Sequence, residues 1–325
     1  MDLHVVATCY HCGSEVPGGT PACPDCGAEQ SERGDIRRLP HEVVLSFVHH
    51  AEEFLAAGTV KQAALAFAGG SFIAFGALLS VFLTMGIEQE GLSRLLLGVG
   101  FSAGFILVIL SGSALFTEVN VILPELFLRR PGDLRGGWLR FWAIAYAGNA
   151  AGALFVGALV TAAVVLDGAS TERLAELIAE KLRYRDLGVS GWFSVLVSGI
   201  LGNWLVGMAA FLSTAARTIS GKILGIIFPI VTFVAIGLQH APANMGYFAI
   251  GLIHGDVGAG WGEAIWWNIV PASIGNLIGG GILVALLFWY TYGQSPEQRH
   301  TLRRIDEFAQ VRAAGQAEPA SGSRR

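Results

Sequence analysis

The stretch Gly237-Leu238-Gln239-His240-Ala241-Pro242-Ala243-Asn244 decides the fold. It lies in the middle of residues 223–255, an apolar run that contains no Asp, Glu, Lys or Arg and two histidines, His240 and His254. Lipid cannot satisfy the backbone groups that glycine and proline free in such a helix. The stretch therefore predicts a broken membrane helix whose break is covered by protein or lines a cavity, with His240 as a functional residue. The alternative is a proline kink in which His240 bonds to a neighbouring helix.

The composition indicates that the whole chain is a membrane protein. Of its 325 residues, 53% are hydrophobic and only 14% are charged, whereas an average soluble domain has about 25% charged residues. Five more uncharged stretches are long enough to cross a hydrocarbon core of about 30 Å. They are residues 62–87, 95–117, 141–166, 187–216 and 264–294. We therefore expect an all-α protein that crosses the inner or plasma membrane six times.

The loop charges predict the orientation of these spans. Cationic side chains follow spans two, four and six: Arg129, Arg130, Arg135, Arg140, Arg217, Lys222, Arg299, Arg303 and Arg304. The loops of the opposite side, apart from the mixed loop after span three, carry acidic residues with few cations. By the positive-inside rule, both termini are expected in the cytoplasm.

All four cysteines lie near the N-terminus, as two C-x2-C pairs: Cys9, Cys12, Cys23 and Cys26. Disulfides are rare in the cytoplasm, and this spacing is close to that of a structural zinc site with four thiolate ligands. The sequence therefore predicts a bound Zn²⁺ in a segment similar to a small zinc ribbon. Redox-active pairs and free thiols are the alternatives.

The predicted domains follow from these patterns. Residues 1–30 form the zinc-ribbon-like segment, 31–61 a linker with an amphipathic helix from Pro40 to Ala57, 62–294 the six-helix channel domain, and 295–325 a disordered cytoplasmic tail. A second amphipathic helix is predicted over 170–186, with Ser170 or Thr171 as its N-cap.

The membrane part contains an internal repeat. The segment around Gly148-Asn149 matches the one around Gly275-Asn276 at an offset of 127 residues, which also places a break at 113–117 against 240–244. Three spans separate each element from its copy, so the two halves have opposite orientations. An inverted 3+3 repeat with one discontinuous helix in each half is the aquaporin-like architecture of channels and secondary transporters, with the site where the breaks meet.

The motifs in this order resemble the formate/nitrite transporter family. They are Leu115-Phe116-Thr117, Gly202-Asn203, Phe233-Val234-Ala235 with Gly237 and His240, Ala243-Asn244-Met245, and Ile274-Gly275-Asn276 with Gly279–Gly281. The resemblance covers about residues 40–292. It implies a homopentamer with one pore per six-helix protomer. It also implies small monovalent weak-acid substrates such as formate, nitrite or hydrosulfide, and in some members acetate or lactate.

The resemblance also implies the roles of individual side chains. Thr117 and His240 match the central polar pair of the pore, and Asn203 matches a polar residue beside that pair. The matches to the apolar constrictions on either side are Phe116, Val206 and Phe233.

Two positions depart from the family pattern. Ala114 stands where the family usually has an acidic residue, and Gln239 stands where it often has glutamate. Both differences remove negative charge near the pore. The zinc-binding segment is not a usual part of the family.

Desolvation predicts the mechanism. An anion faces a penalty of many kcal/mol in an apolar constriction, and the spans offer no lysine or arginine that would offset it. Formate or nitrite is therefore expected to pass with the help of protonation or hydrogen bonding at His240, oriented by Thr117 and Asn203. For Asn149 and Asn276 we expect hydrogen bonds between helices instead.

Other functions are less consistent with the sequence. A hydrosulfide or short-chain carboxylate channel of the same family is one alternative. A non-conducting sensor or scaffold that uses the zinc-binding segment is another. The spans contain no paired carboxylates or nucleophile motif that would indicate an enzyme. No cofactor is expected in the pore and no nucleic acid as a partner.

Overall fold

The computed structural model describes residues 6–9, 12, 14–17, 22–28, 37–129 and 137–293. In chain order the helices are α1 (Pro40–Ala56), α2 (Thr59–Thr84), α3 (Glu90–Ser111), α4 (Phe116–Arg129), α5 (Gly137–Ala162), α6 (Gly168–Leu182), α7 (Val189–Ala215), α8 (Ile219–Ile236), α9 (Ala241–His254) and α10 (Trp261–Tyr292). A 3₁₀ turn, Arg183–Leu187, follows α6, and α10 contains π-helical turns at Ile265–Ile269 and Gly279–Leu286.

Six of the described helices are long and apolar enough to cross a membrane: α2, α3, α5, α7, α8 and α10. The predicted all-α membrane architecture with six spans is thus confirmed. Helices α4 and α9 have 14 residues each, about 21 Å of helix, so they are too short to span alone. They complete α3 and α8 as the two predicted broken helices.

The N-terminal residues form a separate unit. Strands β1 (Val6–Thr8) and β2 (Glu15–Pro17) pair antiparallel, with Ala7 opposite Val16. The predicted tail at 295–325 lies outside the described residues, and the predicted domain boundaries remain predictions.

The two amphipathic helices form as α1 and α6, but the cap predicted for α6 is wrong. The helix begins at Gly168, two residues before the predicted start, and its N-cap is Asp167. The Asp167 carboxylate accepts the backbone N–H of Ser170 at 2.9 Å. The hydroxyl of Ser170 in turn accepts the backbone N–H of Asp167 at 2.8 Å, so Ser170 is the return partner in a capping box.

Both breaks begin at a glycine in the left-handed region. Gly112 ends α3 with φ 69°, and Gly237 ends α8 with φ 81°, a conformation that costs glycine little. These two caps are 125 residues apart, whereas Asn149 and Asn276 are 127 apart. The offset of 127 is therefore wrong at the breaks, because the second half has two extra residues between its break and its asparagine.

An asparagine of α5 holds the first break. The Asn149 carboxamide oxygen accepts the N–H of Phe116 at 2.8 Å. Its Nδ2 donates to the carbonyls of Ala66 at 2.8 Å and Ala114 at 3.0 Å. One side chain thus satisfies backbone groups on both sides of the break and joins it to α2.

Asn276 of α10 repeats this arrangement at the second break. Its oxygen accepts the N–H of Ala241 at 2.8 Å. Its Nδ2 donates to the carbonyls of Gly199 at 2.8 Å and Gln239 at 3.1 Å. The predicted interhelical role of both asparagines is confirmed.

Glycines on α2 and α7 let these helices approach the breaks closely. A Cβ at Gly69 would collide with the backbone carbonyl of Ala114, and a Cβ at Gly202 would collide with that of Gln239. The two halves thus use the same contact, as an inverted repeat requires.

We predict that Asn276→Ala lowers the stability of the solubilised protein by roughly 2–4 kcal/mol. The substitution leaves the buried N–H of Ala241 and two buried carbonyls unpaired, and each unmet group costs about 1–3 kcal/mol before relaxation. Thermal unfolding in detergent measures this loss, and Asn149→Ala should have a similar effect. Thr232→Ala, which removes an exposed hydroxyl bonded within its own helix, should cost less than about 0.5 kcal/mol. Equal stability of Asn276→Ala and wild type would contradict the role of this side chain.

Candidate functional site

The two breaks meet at a hydrogen-bonded pair. Thr117 is the second residue of α4, and His240 is the N-cap of α9. Thr117 Oγ1 lies 2.9 Å from His240 Nε2, and both side chains are fully buried. The structure therefore brings together the two residues that the sequence predicted at the centre.

Backbone geometry determines which imidazole nitrogen carries the proton. His240 Nδ1 accepts the N–H of Ala243 at 3.2 Å, as an N-cap acceptor. A nitrogen that accepts cannot carry a proton, so the neutral ring has its proton on Nε2. His240 Nε2–H then donates to Thr117 Oγ1, which leaves the Thr117 hydroxyl proton available to another acceptor.

Asn203 of α7 lies beside this pair. Its Nδ2 donates to the carbonyl of Asn276 at 2.6 Å and approaches that of Thr117 at 3.4 Å. Since both partners are backbone acceptors, the orientation of the amide is unambiguous. Asn203 Oδ1 is buried and has no hydrogen-bond partner.

Aromatic rings cover the central pair. The ring of Phe233 lies 5.4 Å from that of His240, and the ring of Phe101 lies 5.8 Å from Phe233 and 6.4 Å from His240. Val206 and Leu115 belong to the same apolar cluster as these two phenylalanines. Of the predicted apolar residues, Phe233 is therefore close to the centre, and Val206 belongs to the same apolar cluster.

Phe116 packs elsewhere. Its ring makes edge contacts with Trp142 at 5.1 Å and Tyr146 at 4.9 Å, in a separate cluster with Ala241 and Val195. The residue before it, Leu115, joins the cluster of Phe233. The structure therefore does not bring Phe116 together with the other predicted constriction residues.

A chain of amides leads from the central pair to a lysine. Lys181 Nζ donates to Asn244 Oδ1 at 2.7 Å, and Asn244 Nδ2 donates to Gln239 Oε1 at 2.9 Å. Asn268 donates to the same oxygen at 3.1 Å and to the carbonyl of Lys181 at 3.0 Å. The Lys181 ammonium only donates and the Lys181 carbonyl only accepts, so they determine which end of each side-chain amide in this series is the oxygen. Gln239 therefore directs its oxygen inward, and its Nε2 group can donate to another acceptor.

Gln239 and Lys181 line a cavity of about 300 Å³ on the side of the bundle where α6 lies. We call it the α6 cavity; Phe101 and Phe233 form its floor toward His240. Its charged lining residues are Glu88, Glu90, Arg94, Arg173, Glu180, Lys181 and Arg183. The cations therefore outnumber the acids by four to three.

Lys181 is the cation of this cavity that lacks a carboxylate partner among the described residues. The three arginines each pair with a glutamate, whereas the Lys181 ammonium bonds to an amide and lies 4.7 Å from the ring of Tyr247. Loss of solvent lowers the pKa of Lys181 to about 8, so most of its positive charge is present at neutral pH.

The prediction considered cations of the spans alone and did not include one from a helix between them. Lys181 comes from α6, which is not a span. The signal was present in the sequence: Leu174, Leu177 and Ile178 form the buried face of α6. Lys181 follows them at the helical spacings of seven, four and three residues. Phe101, the other missed residue, lies inside a uniformly apolar span where no pattern distinguishes it.

The four cysteines form a second candidate site, in the N-terminal unit. The Sγ atoms of Cys9 and Cys26 are 3.7 Å apart, those of Cys12 and Cys23 are 3.6 Å apart, and all four lie within 4.8 Å of one another. A tetrahedron with Zn–S bonds of about 2.3 Å has edges of about 3.8 Å. The four sulfur atoms therefore lie close enough together to bind one metal ion.

Comparison with known proteins identifies similar chains. Residues 41–290 match the family model described as formate/nitrite transporter. A probable formate transporter of Methanothermobacter thermautotrophicus is 35% identical over 246 residues, which is 71% of this chain and 89% of that protein.

Two solved structures have the same fold. One is a pentameric formate channel with formate bound, at 24% identity and a TM-score of 0.61, covering 73% of this chain and 98% of that one. The other is described as an FNT family ion channel, at 22% identity and a TM-score of 0.66, covering 77% and 98%.

Proposed function

This chain belongs to the formate/nitrite transporter family, and on that premise we propose that it is a membrane channel for small monovalent weak-acid anions such as formate or nitrite. The observation that carries the proposal is the Thr117–His240 pair, 2.9 Å apart and buried beneath aromatic rings where two helix breaks meet. The related protein described as a probable formate transporter supports this substrate class.

The hydrogen-bonding groups at the centre suit a neutral acid better than its anion. The Thr117 hydroxyl offers a donor once His240 Nε2–H has donated to its oxygen, and Asn203 Oδ1 offers an acceptor without a partner. Neutral formic acid has one C=O acceptor and one O–H donor, which matches this pair of groups. A carboxylate only accepts, so it would leave Asn203 Oδ1 unsatisfied.

The apolar rings also favour the neutral acid over its anion, because passing them removes water from the permeating molecule. A bare anion passing Phe101 and Phe233 loses most of its hydration, at a cost of many kcal/mol. A neutral acid avoids this cost, and chloride cannot become neutral at any relevant pH. We therefore infer that His240 assists passage chiefly by hydrogen bonding, since its Nδ1 is already used by the backbone.

The α6 cavity collects the anion before this step. Lys181 supplies a positive charge that has no salt bridge to a carboxylate of the described residues, and the Nε2 group of Gln239 supplies a donor beside it. Glutamate at position 239 would keep the inward hydrogen bonds but would place a negative charge in the cavity. We propose that Gln239 favours anion entry from this side.

We also propose the assembly and orientation. The similar solved channel is pentameric, and we infer a homopentamer with one pore in each protomer. The cationic loops place both termini in the cytoplasm. Since α1 directly precedes the first span, its side is then cytoplasmic, and the α6 cavity opens on the opposite side of the cell membrane.

For the N-terminal cluster we propose a structural Zn²⁺ bound by Cys9, Cys12, Cys23 and Cys26. The thiol separations match the edges of a tetrahedral thiolate site. A closed set of four thiolates leaves no open position on the metal, which is typical of structural zinc and not of catalytic zinc.

We predict that proteoliposomes with the purified protein take up formate or nitrite, that a proton gradient increases the uptake, and that chloride is excluded. His240→Phe should reduce uptake roughly ten- to hundredfold, the equivalent of a buried hydrogen bond of about 1–3 kcal/mol. Thr117→Val should reduce it less, since His240 remains. Initial uptake rates of labelled substrate measure both effects.

The matched control for this test is His254→Phe. It makes the same exchange at the far end of α9, where His254 bonds to Thr171, and it should keep uptake near the wild-type rate. Wild-type uptake together with unchanged uptake in His240→Phe would rule out the role given to this histidine.

We predict that Gln239→Glu raises the formate concentration for half-maximal uptake from the α6 side by about three- to tenfold at low salt. The new carboxylate repels the anion, and added salt should reduce the difference because it screens the charge. Gln89→Glu is the control, since residue 89 is exposed beside the cavity but does not line it. An unchanged half-saturation in Gln239→Glu at low salt would contradict the proposal.

We predict about one zinc per chain in the wild-type protein. Elemental analysis of the purified protein measures it, and Cys23→Ser combined with Cys26→Ser should remove most of the metal because two of the four ligands are lost. Equal metal contents in the two proteins would show that the cysteines do not form the site.

A further inference from the structure

Glu118 is a buried carboxylate that the channel mechanism above does not use. Only 8% of the residue is exposed, and its buried Oε2 atom has no hydrogen-bond partner among the residues that the structure describes. Glu118 lines a cavity of about 190 Å³ on the side of the bundle where α1 lies, which we call the α1 cavity. A water occupies about 30 Å³, so this cavity has room for several waters or for one small carboxylic acid.

His50 of α1 connects this carboxylate to solvent. Its Nε2 lies 3.8 Å from Glu118 Oε1, and its side chain is 37% exposed whereas that of Glu118 is 9% exposed. The ring of Phe54 packs edge-on against His50 at 4.5 Å and fixes its orientation. A buried carboxylate thus faces a half-exposed imidazole.

The other charges around Glu118 are cationic. Arg38, which precedes α1 and donates to the carbonyl of Thr214 at 2.6 Å, and Lys222 of α8 line the same cavity. Helices α3 and α7 contribute only neutral side chains to the wall of the cavity. Helices α5, α9 and α10 also pack against α4, but no described residue of theirs lines the cavity. Glu42 of α1 is turned to Arg217, 3.7 Å away. Among the described residues, Glu118 is therefore the single acid in a wall whose other charged side chains are cations.

The position of Glu118 relates this cavity to the central pair. It directly follows Thr117, so their Cα atoms are about 3.8 Å apart. Successive helical residues point about 100° apart, so Glu118 points away from His240. The cavity wall also includes Gly112 and Ser113 of the first break. Glu118 and the first break therefore border the same cavity on the α1 side.

We propose that Glu118 is the group that exchanges a proton with the permeating weak acid on the α1 side, with His50 as its relay to water. This proposal rests on the proposed channel function. Arg38 and Lys222 hold the anion that remains after the acid has lost its proton. The central pair then needs only to hydrogen-bond the neutral acid.

The step moves one proton and no electrons. The O–H bond of the arriving acid breaks, and the proton forms a new O–H bond on the Glu118 carboxylate. Glu118 then passes the proton to His50 Nε2, and the imidazolium releases it to water. The anion leaves past Lys222, and in the reverse direction each bond forms and breaks in the opposite order.

Infrared difference spectroscopy of the purified protein tests the site without flux. Addition of ¹³C-labelled formate should change the band of a protonated carboxyl group, and Glu118→Gln should abolish that change because a carboxamide has no titrating proton. Glu53→Gln, at an exposed position of α1, should keep it. The same difference spectrum in wild type and Glu118→Gln would overturn the proposal.

Flux in proteoliposomes provides the second test. In Glu118→Gln, proton-coupled formate uptake should fall about tenfold or more and lose its dependence on pH at the α1 side. His50→Gln should have a smaller effect in the same direction, and His49→Gln, whose ring pairs with Glu52 on the surface, should have none. Wild-type uptake with an unaltered pH profile in Glu118→Gln contradicts this proposal alone. Absence of uptake in wild type contradicts the channel function instead, and the infrared test then decides whether Glu118 is an acid-binding site.

Discussion

The whole arrangement depends on one constraint: the backbone groups freed at two helix breaks must find hydrogen-bond partners inside an apolar bundle. Lipid offers none, and each buried group left unpaired costs more than a typical net hydrogen bond contributes. Asn149 and Asn276 meet this constraint with three hydrogen bonds each. A carboxamide is suited to the task because it donates and accepts without carrying a charge. The breaks are therefore held by neutral groups, and no fixed ion is needed at the centre.

This solution directs two helix N-termini toward one point. Helices α4 and α9 begin at the breaks, and the N-terminus of a helix carries a partial positive charge with unpaired N–H groups. His240 uses its Nδ1 to satisfy one of these groups, so the cap and the functional histidine are the same residue. The cap keeps the ring in the tautomer that donates from Nε2 to Thr117. The fold thus prepares donors for an oxygen-rich guest without placing a full charge in the membrane.

Most of the fold was predictable, because it follows from long-range patterns: six apolar runs, two interruptions and matching Gly-Asn segments. The pairing of Thr117 with His240 was predictable from the repeat and the family resemblance together. The direction in which a side chain points inside a span could not be predicted from the sequence. Leu115 and Phe116 are adjacent and both apolar, so only three-dimensional packing shows that Leu115 joins the cluster of Phe233 and that Phe116 faces Trp142. The offset of 127 was wrong at the breaks because the second half has a two-residue insertion between its break and its asparagine. The motifs at the breaks are too short to reveal this insertion in the sequence. Lys181 was missed because helices outside the spans were treated as surface.

The placement of charge follows from what a channel must avoid. At an effective dielectric constant of about 20, a cation 4 Å from an anion attracts it by about 4 kcal/mol, which corresponds to roughly a thousandfold in an equilibrium constant. At the centre such a charge would hold the substrate and slow its release. In a cavity at the edge of the bundle, outside the apolar centre, the same charge raises the local anion concentration without holding the substrate at the centre. The described chain has this division: Lys181 lies at one edge, Arg38 and Lys222 lie at the other, and Thr117, Asn203 and His240 lie between them. Because α6 and the segment before α1 lie outside the spans, Lys181 and Arg38 stay out of the hydrocarbon core, and Lys222 lies in the first turn of α8. The neutral centre and the charged edges are therefore two consequences of the same desolvation cost.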